Sequence, residues 1–142
     1  MELSAKIKSK IRKVKDWPVK GVIYQDLNPV ISSELVCPII ERLAYDVRLI
    51  ASELNMRTEK KSKQAGIETR GFIWGSAVAS ALGSWFIPIR KMGSIPDSAV
   101  QNYTHVQSEY SKGDLVIPKG CVRRGDFVVL IDDVIATGQT AL

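Results

Sequence analysis

Apolar and polar positions follow two different rhythms along the chain. Leu3, Ile7, Ile11 and Val14 recur at helical spacing among lysines, arginines and serines, which predicts an amphipathic helix over residues 1–16 with a lysine-rich outer face. Asp16-Trp17-Pro18 and Lys20-Gly21 end it, since proline and glycine both interrupt a helix. Val22-Ile23-Tyr24 is a short apolar run, and Asp26-Leu27-Asn28-Pro29 reads as a turn. Ser32 or Ser33 is placed to cap a second helix that tolerates Pro38 near its first turn. Its apolar face is Ile39, Ile40, Leu43, Val47, Ile50 and Leu54. Residues 57–64 are polar and read as a loop. A strand-turn-helix follows, with Ala65-Gly66-Ile67, the turn Glu68-Thr69-Arg70-Gly71, and a helix from Phe72 to Leu82. Trp85 to Ile89 reads as a buried strand, and residues 91–112 as a long flexible loop that exposes His105. Leu115-Val116-Ile117 is a short strand, and Arg124-Gly125-Asp126 turns into Phe127–Ile131, an apolar run expected to be buried on both faces. This alternation predicts an α/β fold, a parallel sheet flanked by helices.

Composition narrows the setting. The 142 residues, 45% hydrophobic and 25% charged, fit a single globular domain. No apolar run approaches the roughly eighteen residues that cross a bilayer, and no basic-then-apolar leader opens the sequence, so neither a membrane span nor conventional secretion is expected. Cys37 and Cys121 lack zinc-site spacing and read as core fillers in a reduced, cytoplasmic setting. A single histidine, His105, excludes poly-histidine metal sites. The net charge of +5 sits in the first twenty residues: Lys6, Lys8, Lys10, Arg12, Lys13, Lys15 and Lys20 outnumber Glu2 and Asp16 by five, and the remaining 13 basic and 13 acidic side chains cancel. This reads first as the solvated face of a packed helix; a nucleic-acid or anionic-lipid arm ranks behind it.

The stretch that carries chemistry is F-V-V-L-I-D-D-V-I-A-T-G-Q-T, residues 127–140. A buried strand ends in two carboxylates, Asp132 and Asp133, at the edge where open α/β sheets bind ligands. Ala136, Thr137, Gly138, Gln139 and Thr140 then stand at a helix start, where free backbone N–H groups attract phosphate. Thr137 and Thr140 add hydroxyl donors, and Gly138 permits close backbone approach. A phosphate beside two carboxylates implies a phosphorylated sugar. A Walker loop is excluded, because Gly-Lys-Ser/Thr is missing.

This stretch resembles the signature of the type I phosphoribosyltransferases, which bind 5-phosphoribosyl 1-pyrophosphate (PRPP). Three further segments resemble the adenine phosphoribosyltransferase branch. They are D-W-P-V-K-G-V-I-Y-Q-D-L, A-G-I-E-T-R-G-F-I-W-G, and I-P-I-R-K-M-G-S-I-P followed by S-E-Y-S. The four matches run in order from about Ile11 to Leu142. The resemblance implies a pentosyltransferase of purine salvage that joins adenine to PRPP, giving AMP and pyrophosphate. It further implies a type I phosphoribosyltransferase-like sheet, a cytoplasmic homodimer, and magnesium carried mainly on PRPP, with no protein metal site.

By the same resemblance, Ala136 to Thr140 hold the 5′-phosphate, and Asp132 and Asp133 take the ribose hydroxyls. Glu68, Thr69 and Arg70 form the pyrophosphate loop, and Arg70 also acts in catalysis. Arg90 and Lys91 reach pyrophosphate, in this family partly across a dimer interface; by themselves they equally fit a solvated strand end. Glu109, on the flexible loop 91–112, manages the purine's proton. Val22, Ile23, Tyr24 and Gln25 line the adenine pocket, although the first three are also what any core strand needs.

The chain departs from the family pattern in places. Gln139 replaces a usual second glycine, and Met92 and Ser94 replace usual cations. Lys61-Ser62-Lys63-Gln64 falls where an apolar strand is expected, so that strand should be shortened, shifted or frayed. The sequence stops at Leu142, about one turn into the phosphate-loop helix, so the C-terminal part of the fold is expected to be missing. These departures keep a second reading open: an impaired relative that binds phosphate ligands or serves only as an oligomer partner.

Overall fold

The computed structural model describes residues 2–54, 62–107 and 112–134. The chain divides into two compact units, Met1–Leu43 and Ala44–Leu142. One helix runs through the division.

In the first unit, α1 (Leu3–Lys10) is followed by strand β1 (Arg12–Lys15), which pairs antiparallel with β2 (Ile23–Asp26). The helix expected to reach residue 16 therefore ends at Lys10, and Ile11 is already extended, with φ −65° and ψ 121°. The helical spacing of Ile11 and Val14 yields to ladder pairing, because propensity is a weak prior against tertiary hydrogen bonds. An ion pair ties the ladder at its far end: Arg12 Nε donates to Asp26 Oδ2 at 2.9 Å. Asp26 Oδ1 also accepts the amide of Asn28 at 3.0 Å, at the start of the short helix α2 (Asn28–Ile31). That amide first, and then Arg12, hold the Asp26 carboxyl below its usual range. Residues 26–29 thus turn directly into a helix. Trp17 meets Tyr24 edge-on, with ring centroids 4.7 Å apart. The long helix α3 (Val36–Glu53) keeps Pro38 in its first turn, as the sequence predicted.

The second unit is built on a five-stranded sheet. Its strands are β3 (Lys63–Ile67), β4 (Trp85–Lys91), β5 (Val100–Gln107), β6 (Lys112–Pro118) and β7 (Val128–Ile131), in the order β5-β6-β4-β3-β7. β7, β3 and β4 run parallel, while β6 pairs antiparallel with both β4 and β5. The sheet is therefore mixed rather than wholly parallel. Helix α4 (Arg70–Leu82) packs on β3, β4 and β7. Gly83, at φ 59°, closes α4 in the left-handed conformation that glycine adopts without a Cβ penalty. Ala65, Ile67, Trp74, Val78, Ile87, Val116 and Ile131 form the core.

Several expectations need correction. Residues 91–112 are not a loop over their described part: after a short 3-10 turn, Asp97–Ala99, β5 carries Val100, Tyr103, Thr104 and Val106, the residue types that favour a strand. His105 stands on β5, opposite Asp114. Among the described residues β7 lies at the edge of the sheet, and it is not buried on both faces: Val128 is exposed and only Ile131 is buried. Cys37 is exposed and Cys121 only half-buried, so neither thiol fills the core. Among the described residues, no helix is long and apolar enough to cross a membrane.

The polar start of β3 is neither shortened nor frayed. Lys63 and Gln64 both pair within the sheet, and Gln64 is fully buried. Each polar head finds a partner far along the chain. Lys63 Nζ lies 2.7 Å from Asp126 and donates to the Cys121 carbonyl at 2.9 Å. Gln64 Oε1 accepts from Ser84 Oγ, and its Nε2 donates to Ser62 Oγ at 2.9 Å. Ser84→Ala should then cost about 1–3 kcal/mol, because a buried amide oxygen loses its donor. Combining it with Gln64→Leu should recover most of that loss. Urea unfolding tests this; a wild-type midpoint for Ser84→Ala would contradict it.

Candidate active site

The carboxyl ends of three adjacent parallel strands bring most of the second unit's candidate residues together. Gly66 of β3 lies in register with Ile131 of β7, and Ile67 with Ile89 of β4. Just beyond those pairs come Glu68 after β3, Asp132 and Asp133 after β7, and Arg90 and Lys91 at the end of β4. The Glu68 amide donates to the Ile89 carbonyl at 2.9 Å, which fixes the turn 68–71 against β4. The Glu68–Thr69 peptide is cis. The turn then folds back on its own strand and leads into α4. A Cβ on Gly66 would lie 2.2 Å from the Gly71 carbonyl oxygen, so glycine is required there; one on Gly71 would lie 3.3 Å from Asp132 Oδ1, a tight fit.

Each of the two arginines meets a carboxylate here. Arg70 Nε lies 3.0 Å from Asp133 Oδ2; the Asp133 side chain is 3% exposed and that of Arg70 42%. The contact is an ion pair without hydrogen-bond alignment, so Asp133 Oδ2 is buried with no donor among the described residues. Arg90 Nε donates to Glu68 Oε2 at 2.9 Å, and the same oxygen accepts the Lys91 amide at 3.0 Å. That amide first, and then Arg90, hold the Glu68 carboxyl below its usual range. Three cations (Arg70, Arg90, Lys91) thus face three acids (Glu68, Asp132, Asp133). Phe72 went unremarked in the sequence, yet its ring lies 5.8 Å from the Arg90 guanidinium carbon. The only hint was an aromatic residue straight after Arg70-Gly71.

Asp132 carries the strongest strain. Burial, reinforced by Asp133, raises its carboxyl from 3.8 to about 6, against the pull of the Asp133 amide that its Oδ1 accepts at 2.9 Å. The folded chain therefore holds this proton more tightly than the unfolded chain does. Stability falls as pH rises from about 4 to about 6, where the folded carboxylate must ionise. Asp132→Asn, neutral throughout, should match wild type near pH 3 and exceed it by about 1–2 kcal/mol at pH 7. Urea unfolding at both pH values checks this; no gain at pH 7 would contradict it. A residue that destabilises its own fold is the pattern expected of a functional group.

Val22, Ile23, Tyr24 and Gln25 belong to the first unit, on or beside β2, where Ile23 is exposed and Tyr24 half-buried against Trp17. Glu109 and Ala136, Thr137, Gly138, Gln139 and Thr140 lie outside the described residues.

No protein-family model matches the chain. Individual relatives do. An adenine phosphoribosyltransferase of Caenorhabditis elegans is 35% identical over 144 residues, covering 98% of this chain and 71% of the relative. One from Methylacidiphilum infernorum is 37% identical over 138 residues, covering 96% of this chain and 70% of the relative. Among solved structures, the Giardia lamblia enzyme complexed with 9-deazaadenine superposes with a TM-score of 0.77 at 31% identity, over 99% of this chain and 72% of that one. The mixed sheet, the acidic end of β7 and the arginine-bearing turn after β3 thus coincide with sequence likeness along nearly the whole chain, and this chain belongs to the adenine phosphoribosyltransferase family.

Proposed function

We propose that the chain carries out its family's transfer at the carboxyl ends of β7, β3 and β4. The phosphoribosyl group of PRPP passes to adenine, giving AMP and pyrophosphate. The observation that carries this reading is the convergence of Asp132 and Asp133 with Arg70, Arg90 and Lys91 at one sheet edge.

The chemistry at the anomeric carbon is a displacement. The bond to pyrophosphate oxygen breaks, the bond to an adenine nitrogen forms, and positive charge builds on the ribose between the two events. The protein's work is to place both partners and to stabilise opposite charges on either side of the ring. Asp132 and Asp133 accept the ribose hydroxyls, holding negative charge beside the cationic sugar. Arg70, Arg90 and Lys91 take the charge of the departing pyrophosphate, with Arg70 exchanging Asp133 for a phosphate oxygen. Family resemblance supports three further roles. Residues 136–140 grip the 5′-phosphate, Val22 to Gln25 read adenine, and Glu109 exchanges the purine's proton.

Magnesium fits as a passenger on PRPP. Among the described residues no three His, Cys, Asp or Glu side chains converge on one point, while the site offers ionic oxygens beside a polyphosphate. When bound, the ion supplies charge neutralisation on the phosphates, as suits a hard cation that keeps its waters and substrate oxygens. A cytoplasmic homodimer, in which Arg90 and Lys91 serve the partner's site as well, follows the same resemblance.

The test is AMP formation from adenine, PRPP and magnesium. Wild type should produce AMP. Glu109→Ala should slow kcat about a hundredfold while PRPP still raises the melting temperature as in wild type. No AMP and no thermal shift with PRPP would refute the reading.

A further inference from the structure

We infer that Glu68 is a positioning residue for pyrophosphate: it clasps Arg90 along one edge so that the other edge faces the leaving group. The inference rests on the pyrophosphate role of Arg90 proposed above. A carboxylate at a polyanion site is unexpected on charge alone, since it repels the ligand. Its geometry gives the reason. One oxygen, Oε2, accepts both Arg90 Nε at 2.9 Å and the Lys91 amide at 3.0 Å. The Glu68 backbone is itself tied to Ile89, so carboxylate and arginine are anchored to the same strand end. From the side, the Phe72 ring lies 5.8 Å from the guanidinium carbon, and Phe72 is in turn braced edge-on by Phe86 at 5.6 Å and 81°.

The guanidinium fork is thus fixed by its Nε edge and by an aromatic ring. Its two terminal nitrogens have no protein partner among the described residues. Those nitrogens form the edge that pairs with phosphate oxygens. A long side chain that would otherwise sample many rotamers arrives ordered, so pyrophosphate does not have to order it. Glu68 ionises readily at neutral pH, its carboxyl being held low by the Lys91 amide and Arg90.

The sign of the effect separates this account from simple repulsion. Pyrophosphate binding by the full chain is measured calorimetrically for wild type, Glu68→Ala, Glu68→Gln, Arg90→Ala and the Glu68 variants combined with Arg90→Ala. Glu68→Ala should weaken binding about five- to tenfold, and Glu68→Gln, which keeps an acceptor oxygen, about twofold. Neither change should matter once Arg90 is alanine, because there is no fork left to hold. In turnover, KM for PRPP should rise with KM for adenine unchanged. Tighter or equal binding by Glu68→Ala overturns the inference, as does a loss of the same size in the Arg90→Ala background. Glu68→Gln keeps the shape of the side chain, and the same comparison on it decides the matter independently of folding. Wild type that fails to bind pyrophosphate would remove the proposed site, and the inference with it; wild-type binding without the Glu68 effect removes the inference alone.

Discussion

Gly66→Ala is expected to destabilise the chain by about 3 kcal/mol and to lower its melting temperature by about 10 °C. The added Cβ would stand 2.2 Å from the Gly71 carbonyl oxygen and 2.6 Å from its carbon. Both atoms are backbone, at the point where the turn 68–71 folds back over the end of β3. Relief requires moving the start of α4, where Gly71 is buried. Gly75→Ala supplies the control. Its Cβ meets Phe86 Cε2 at 2.8 Å, a side-chain ring that can turn aside, so its loss should be clearly smaller. Thermal unfolding of both variants checks the ranking, and Gly66→Ala melting at or above Gly75→Ala would contradict it. Because the turn also carries Glu68 and Arg70, pyrophosphate binding should fall with stability.

Asp133→Asn should weaken PRPP binding about tenfold to a hundredfold, the range for losing a hydrogen bond to a charged group. The Asp133 side chain is 3% exposed and, among the described residues, its Oδ2 has no hydrogen-bond donor, so the carboxylate has acceptor capacity to spare there. In the proposed complex the ribose hydroxyls would donate to it. Pyrophosphate alone should bind Asp133→Asn as well as wild type or better, since Arg70 no longer faces a competing carboxylate at 3.0 Å. Calorimetry with PRPP and with pyrophosphate tests both halves. Equal PRPP affinity in the two proteins would refute the carboxylate assignment.

What the sequence disclosed and what it hid follow from the range of the interactions involved. The turn Glu68-Thr69-Arg70-Gly71 and the acidic end at Asp132-Asp133 were legible, because local spacing and residue type specify them: an apolar run, then charges, then a helix rich in small residues. The strand character of Arg12–Lys15 was hidden. Its apolar spacing suits a helix, and only the pairing with Ile23–Asp26 shows otherwise. Lys63 and Gln64 looked unfit for a sheet because their partners, Asp126 and Ser84, lie far away in sequence. Leu115-Val116-Ile117 marked β6, but β5 was lost inside a polar stretch whose only strand signal was scattered β-branched and aromatic residues, with a register shift between Val100 and Asn102 breaking the alternation. In the site, each ion pair joins residues that lie far apart in sequence, so the sequence named Arg70, Arg90, Glu68 and Asp133 without disclosing which acid holds which base.

The most direct test is a crystal structure of the chain with AMP. The ribose hydroxyls should lie within hydrogen-bond distance of the Asp132 and Asp133 carboxylates, at the carboxyl end of β7 beside Arg70. Nucleotide density settled at any other place on the protein would contradict the account.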